Sequence, residues 1–462
     1  MEVDLSRIHT APLGTLPIGW NLVKLKDITI KIGSGATPRG GDRVYLLNRK
    51  NFAFIRSQNV FNRYFNSEGL VFISDEHATE LQKVSVLPGD LLLNITGDGV
   101  TFSRACIVPE EILPACVNQH VSIIRPNPKI CDSGYLLSYL THPLIKTYIE
   151  SFNSGGSRRS ITKGHIESFL ISIPPLSEQK AIAHILSSLD DKIELNQQIN
   201  ETLEAMARAI FKSWFVDFDP VRAKMEGRQP AGMDAATADL FPDEFEESSL
   251  GLIPKGWLYK PAETICSIGI GKTPPRKESE WFSNSYHDIR WASIRDMGGS
   301  GTFISDTKEY LVSEAITRFN VRVVPDHTVL LSFKLTIGRV AITDGEMTTN
   351  EAIAHFKLDN KIEISSEYLY LYLKAFDYNQ LGSTSSIAEA TNSKIIKAMP
   401  ILIPDSELMK KFTNQVANIF ARIKSNQKES YTLTTIRDTL LPKLMSGEIR
   451  VKEAEKIIDN LS

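Results

Sequence analysis

The sequence predicts an α+β protein: two similar mixed α/β domains joined by two long helices that pair as an intramolecular coiled coil. Three observations predict it. The chain repeats itself at a period of about 230 residues. Within each repeat, short β-branched runs alternate with Gly, Pro and Asn turns. Each repeat then closes on a stretch whose apolar residues recur at helical spacing. A length of 462 residues leaves room for several domains.

The repeat is legible element by element. PIGW (Pro17–Trp20) returns as PKGW (Pro254–Trp257), with the tryptophans 237 residues apart. A glycine turn follows each, GSGATPR at Gly33–Arg39 and GIGKTPPR at Gly269–Arg276. FIRSQNV (Phe54–Val60) then meets WASIRDM (Trp291–Met297), and Pro88 meets Pro325 ahead of an aliphatic run. VNQHV (Val117–Val121) meets TNEAI (Thr349–Ile353), and YLLSYL (Tyr135–Leu140) meets YLYLYL (Tyr368–Leu373). A Gly/Ser loop closes each copy (Ser154–Ser160; Gly382–Ser386), before ISIPP (Ile171–Pro175) or ILIPD (Ile401–Asp405). The runs 91–96, 120–126, 329–333 and 339–343 read as strands, and 135–151 and 366–376 as one helix each.

The long helices share a phase. Positions 182, 189, 196, 203 and 210 read Ile, Leu, Asn, Leu, Ile, and 230 residues later 412, 419, 426, 433 and 440 read Phe, Ile, Asn, Leu, Leu. Asparagine at a central heptad step lowers stability and fixes register, because its amide needs a partner. Asn196 and Asn426 are therefore the expected register pair. Their central place allows either direction of pairing, with antiparallel the expected one. Ser177 is the expected N-cap of the first helix, and the second starts near Ser406. Each spans roughly 35–40 residues, on the order of 55 Å at about 1.5 Å per residue. The expected boundaries are 1–173 for the first domain, 174–215 for its helix, 216–250 for an acidic linker, 251–404 for the second domain, and 405–462 for the distal helix and tail.

Charge constrains function without selecting it. The net charge is −3, yet segment 216–250 alone carries −6, while 1–173 carries +3 and 251–404 carries 0. The two domains can therefore face a polyanion. No apolar run reaches the roughly 18–20 residues of a membrane span, and the polar start at Met1–Thr10 reads as no signal peptide. Cys106, Cys116, Cys131 and Cys266 lack metal-ligand spacing and read as small buried apolar residues of a reducing cytoplasm. Catalytic motifs fail in turn. GKT at Gly271–Thr273 lacks the first P-loop glycine, which falls on Cys266, and Pro274-Pro275 stand where the helix should begin. Neither Pro-Pro pair sits in an amino-methyltransferase motif, Pro242-Asp243 has no close acid-x-Lys partner, Glu389 after Pro325-Asp326 is followed by Ala390 and Thr391, and no HExxH or GxSxG occurs.

Ile173–Val221, with PLSEQ at its start, and the distal LLPKLMSGEIRV (Leu440–Val451) resemble the specificity subunit of Type I restriction-modification systems. The resemblance covers nearly the whole chain. It implies two target-recognition domains, each reading half of a bipartite DNA sequence, with the helices setting the gap. It further implies two modification subunits that methylate adenine with S-adenosylmethionine, and, in a restricting system, a motor-nuclease subunit using ATP and Mg. No cofactor, metal or catalytic residue is then expected in this chain. A coiled-coil scaffold without a DNA role is the alternative.

Base edges are read by Arg, Lys, Asn, Gln, Ser and Thr, and phosphates are held by Lys and Arg. On that rule the first domain offers Thr37, Arg39, Arg56, Gln58, Asn59, Arg104, Asn118, Gln119, Arg158, Arg159 and Lys163. The second offers Thr273, Arg276, Lys277, Arg295, Lys334, Arg339, Asn350 and Lys394. Trp214, Phe215 and Phe218, in FKSWFVDFDPVRAK (Phe211–Lys224), read as exposed aromatics that dock a modification subunit or stabilise the helix end, with packing against the second domain as the alternative.

Overall fold

The computed structural model describes residues 11–49, 51–156, 158–358, 364–381 and 393–459. Met1–Thr10, Ser157 and the loop Gly382–Ser386 lie outside the described residues. The chain forms two compact units, Met1–Glu194 with Ser430–Ser462, and Leu195–Glu429.

In the first unit an antiparallel sheet runs in the order Thr29–Ser34, Val121–Pro126, Leu91–Asn94, Ala105–Ile107. A second sheet runs Val71–Ile73, Phe52–Ile55, Ala115–Val117, Ser85–Val86, with its middle pair parallel. The first sheet is buried on both faces. Leu91, Leu93 and Ile124 join the helix-side core, while Leu92, Val121 and Ile123 join the core under the second sheet. Side chains alternate faces along a strand, so a strand covered on both sides reads as a continuous apolar run. That is why 91–96 carries so little polar alternation.

The second unit repeats the plan. Its larger sheet runs Cys266–Ile270, Ile353–Leu358, Val329–Ser332, Val340–Thr343, Phe303–Ile304. The smaller runs Phe282–Ser283, Glu309–Leu311, Ile289–Ala292, Thr348–Thr349, with its parallel pair, Ile289–Ala292 and Thr348–Thr349, at one edge. Val329 and Leu331 face one core, Leu330 the other.

The long helices span Leu176–Phe215 and Ser406–Ser446. Each gives residues to both units, and within each unit the two run antiparallel. In the first unit Asp190 bonds Arg437 at 2.8 Å and Glu178 bonds Arg450 at 2.8 Å. Ile182, Ile185, Leu186 and Leu189 share a core with Leu440, Leu441 and Leu444. In the second unit Phe211 meets Phe412 with ring centroids 6.1 Å apart. Buried Asn196 donates its amide to Glu429 at 2.9 Å, and Asn426 donates to Asn200 Oδ1 at 2.9 Å. The two asparagines thus sit side by side in the seam, with Asn196 Nδ2 3.5 Å from the Asn426 carbonyl.

Four expectations change. Ser177 is not the cap, because the helix already begins at Leu176, and the Pro175 carbonyl accepts from the Glu178 and Gln179 amides at 2.9 and 3.0 Å. The distal helix is capped by Asp405, whose carboxylate accepts from Glu407 N at 2.8 Å. The helix expected at 135–151 is two, Ser133–Thr141 and Pro143–Glu150, because Pro143 cannot continue the first ladder and starts the second instead. Segment 216–250, expected as linker, folds into helices Asp219–Met225 and Ala235–Asp239 and a strand Phe245–Ser248, with Val221 and Phe241 buried. Its acid excess hid the apolar residues interleaved with it. Trp214, Phe215 and Phe218 are 4%, 3% and 9% exposed. They pack against Phe412, Tyr368 and Trp257 in the core of the second unit and present no docking face. Aromatics at i, i+3 and i+4 of the helix end, Phe211, Trp214 and Phe215, mark burial here.

Candidate nucleic-acid interface

In the first unit, four loops converge at one end of the larger sheet. Ile95 N donates to the His120 carbonyl at 3.0 Å, and Arg159–Ser160 pair with Thr96–Gly97. The turn after Thr29–Ser34 crosses the 117–121 loop at very close range. A Cβ on Gly35 would stand 2.1 Å from the Val117 carbonyl oxygen and 2.2 Å from that of Asn118, so only glycine fits. Gly35 N bonds Val121 O at 2.9 Å and Ala36 N bonds Val117 O at 3.1 Å. The Asn118 side chain accepts from His120 N at 3.1 Å and locks the loop. The crossing leaves two exposed side chains in contact, with the Thr37 hydroxyl donating to Gln119 Oε1.

The second unit builds the same crossing from different residues. A Cβ on Gly271 would lie 2.1 Å from Thr349 Oγ1 and 2.2 Å from the Asn350 carbonyl oxygen. Gly271 N bonds Ile353 O at 3.1 Å and Lys272 N bonds Thr349 O at 2.9 Å. Asn350 accepts from Ala352 N at 3.1 Å. The Thr273 hydroxyl donates to Glu351 Oε2. Glu351 is thus the counterpart of Gln119.

The residues singled out from the sequence divide by what holds them. Thr37, Arg39, Gln58, Gln119, Arg158, Lys163, Lys277, Arg295 and Lys394 are exposed, and Thr273 is half-buried. Arg158 stands near His120, whose pKa is lowered by burial and then by that guanidinium. Lys163 pairs with Glu167 at 3.4 Å and Gln58 reaches the Gly69 carbonyl at 3.4 Å.

Others are committed to the fold. Asn59 is fully buried and bonds Arg56 N and Asn66 O at 3.1 and 2.9 Å. Asn118 and Asn350 hold their own loops. Arg56 donates to Gly69 O at 2.6 Å, and Arg104 lies 4.3 Å over the Phe61 ring. Arg159 pairs with Glu150 at 2.8 Å, and Arg339 donates to Ile294 O at 2.7 Å. Arg276 grips Glu309 through two nitrogens at 2.8 and 3.0 Å and stacks 4.5 Å over Trp291. Lys334 lies 5.8 Å from the Phe333 ring. Glu351 was passed over because a preference for basic and amide residues discards acids, although VNQHV set against TNEAI already places it opposite Gln119.

All four cysteines are free and buried, and burial pushes the Cys106 and Cys266 thiols up to about 12, away from nucleophilic or ligand chemistry at neutral pH. No helix among the described residues is long and apolar enough to cross a membrane.

The model of the Type I restriction modification DNA specificity domain matches twice, at residues 17–205 and 254–434. The chain is 30% identical over 450 residues to the Type I restriction enzyme HindI specificity subunit of Haemophilus influenzae, covering 86% of this chain and 94% of that one. It is 26% identical to the MjaIX specificity subunit of Methanocaldococcus jannaschii, covering 96% of each. The fold matches a crystal structure of a Type I restriction-modification S subunit from M. genitalium with a TM-score of 0.54 at 15% identity, over 94% of this chain and 99% of the other. The duplicated domain, the antiparallel helices and these likenesses agree: the chain belongs to the family of DNA specificity subunits of Type I restriction-modification enzymes.

Proposed function

We propose that this chain reads a bipartite duplex DNA target, one half with each unit, and carries two modification subunits to it. Methyl transfer from S-adenosylmethionine, and ATP- and Mg-dependent restriction where a motor-nuclease subunit joins, belong to those partners in the cytoplasm. The chain contributes no reacting group of its own. One observation carries the reading: the same glycine-crossed loop pair is built twice, each time presenting a threonine-held polar side chain to solvent. Duplicating an exposed loop geometry while changing the side chain it offers is what two half-sites of different sequence require.

The test is methylation sequencing of DNA from cells carrying this chain with its modification partner, beside cells lacking only this chain. A bipartite adenine motif present in the first and lost in the second is expected. Identical methylation in both, with the partner expressed, would refute the reading.

A further inference from the structure

We propose that Gln119 and Glu351 are paired specificity determinants, one per half-target, with Gln119 reading an adenine and Glu351 a cytosine in the major groove. The proposal deepens the DNA-reading role above and rests on it.

The two side chains are equivalent in place. Both side chains stand two residues after the loop's parallel strand enters the crossing, next to an asparagine that locks the turn. Both are exposed. Both are fixed by a threonine hydroxyl from the glycine turn opposite, Thr37 in one unit and Thr273 in the other. A long polar side chain on a surface loop usually samples many rotamers. One held by a neighbour is already oriented, and less entropy is lost when it meets a ligand.

The two differ only in their terminal atoms. Gln119 offers a carbonyl and an amide, the pair that meets N6 and N7 of adenine. Its Nε2 lies 3.3 Å from His120 Nε2, which completes the amide's placement. Glu351 offers acceptors alone. An exposed carboxylate among DNA-facing loops is repelled by phosphates, so its presence needs a compensating donor. Cytosine N4 is such a donor, whereas adenine sets the acceptor N7 beside its N6 donor, and a carboxylate repels it.

The experiment compares methylomes of cells expressing the modification subunit with wild-type chain, E351Q, Q119E, or the double exchange. E351Q is expected to lower preference for its original base by on the order of 10- to 100-fold, with adenine gaining, at one position of one half-target. Q119E is expected to do the reverse in the other half only. An unchanged motif in both single variants overturns the proposal. If a variant abolishes methylation, binding by the purified complex decides. Salt-sensitive DNA binding retained without target preference supports base reading, and loss of all DNA binding overturns it in favour of a structural role. A wild-type chain that directs no bipartite motif would instead sink the DNA-reading role, and that arm is scored separately from the variants.

Discussion

The two units solve the same packing problem with different chemistry. In the first, the helix seam is aliphatic and is tied to the domain by charge. Asp190 receives Arg63 from the domain at 2.6 Å and Arg437 from the distal helix at 2.8 Å, and Arg63 also reaches Ser138 and Thr141. In the second, the matching stretch is aromatic. Phe211, Trp214, Phe215, Phe412 and Tyr368 form one cluster of edge-to-face and tilted rings. A domain can thus diverge in how it grips its helices while keeping its sheet order. Ion pairs fix geometry through direction, and ring clusters fix it through volume.

The largest break in this comparison is expected from Phe211→Ala. It empties a fully buried ring site and should cost about 4 kcal/mol. Hydrogen exchange should show faster opening across 195–429 with 11–194 little changed. Equal loss of protection in both would deny the units their separate cores. Next is Asp190→Ala, which leaves Arg63 and Arg437 without their shared carboxylate, their side chains 8% and 17% exposed. The expected cost is about 3 kcal/mol, confined to the first unit. Charge removal at Asp191, on the same turn, is the control.

The smallest effect is a pH dependence. His355 is buried in the second unit against Thr349 Oγ1 at 2.6 Å, and burial, then Arg322, lowers its pKa to about 3. The first unit has Ile123 at the matching step. Between about 3 and 6.5 the unfolded histidine binds a proton that the folded one refuses. Stability is therefore lost as pH falls through that window, by at most about 1.4 kcal/mol per pH unit. Denaturation of wild type and His355→Ile at pH 7.5 and 5 should show the difference, and parallel losses would assign the acid sensitivity elsewhere.

Sheet, repeat and helix pairing were legible because each is written as a period. The seam asparagines were legible because one polar residue among heptad apolar ones is conspicuous. The aromatics at Trp214, Phe215 and Phe218 were misread, since a sequence shows which residues are apolar but not which surface covers them. The site was half legible. Thr37, Gln119 and Thr273 stand at the crossing, but Asn59 and Arg276 are spent on the fold, and residue type cannot separate an arginine held by Glu309 from one free for phosphate. Glu351 stood opposite Gln119 in the sequence repeat, but a preference for basic and amide residues discarded it.

The way each long helix is divided between the units bears on synthesis. The second unit is one unbroken stretch, Leu195–Glu429, and can fold as soon as it leaves the ribosome. The first must wait for Ser430 onward, which follows Glu194 only after the 235 residues of Leu195–Glu429. At roughly 5–20 residues per second that interval is about 10–50 seconds. Throughout it, the face of the first helix bearing Ile182, Ile185 and Leu189 lacks the Leu440, Leu441 and Leu444 that will share its core. The nascent chain therefore carries a sticky stripe whose cover is translated only after the whole second unit, and the unit begun earlier is completed later.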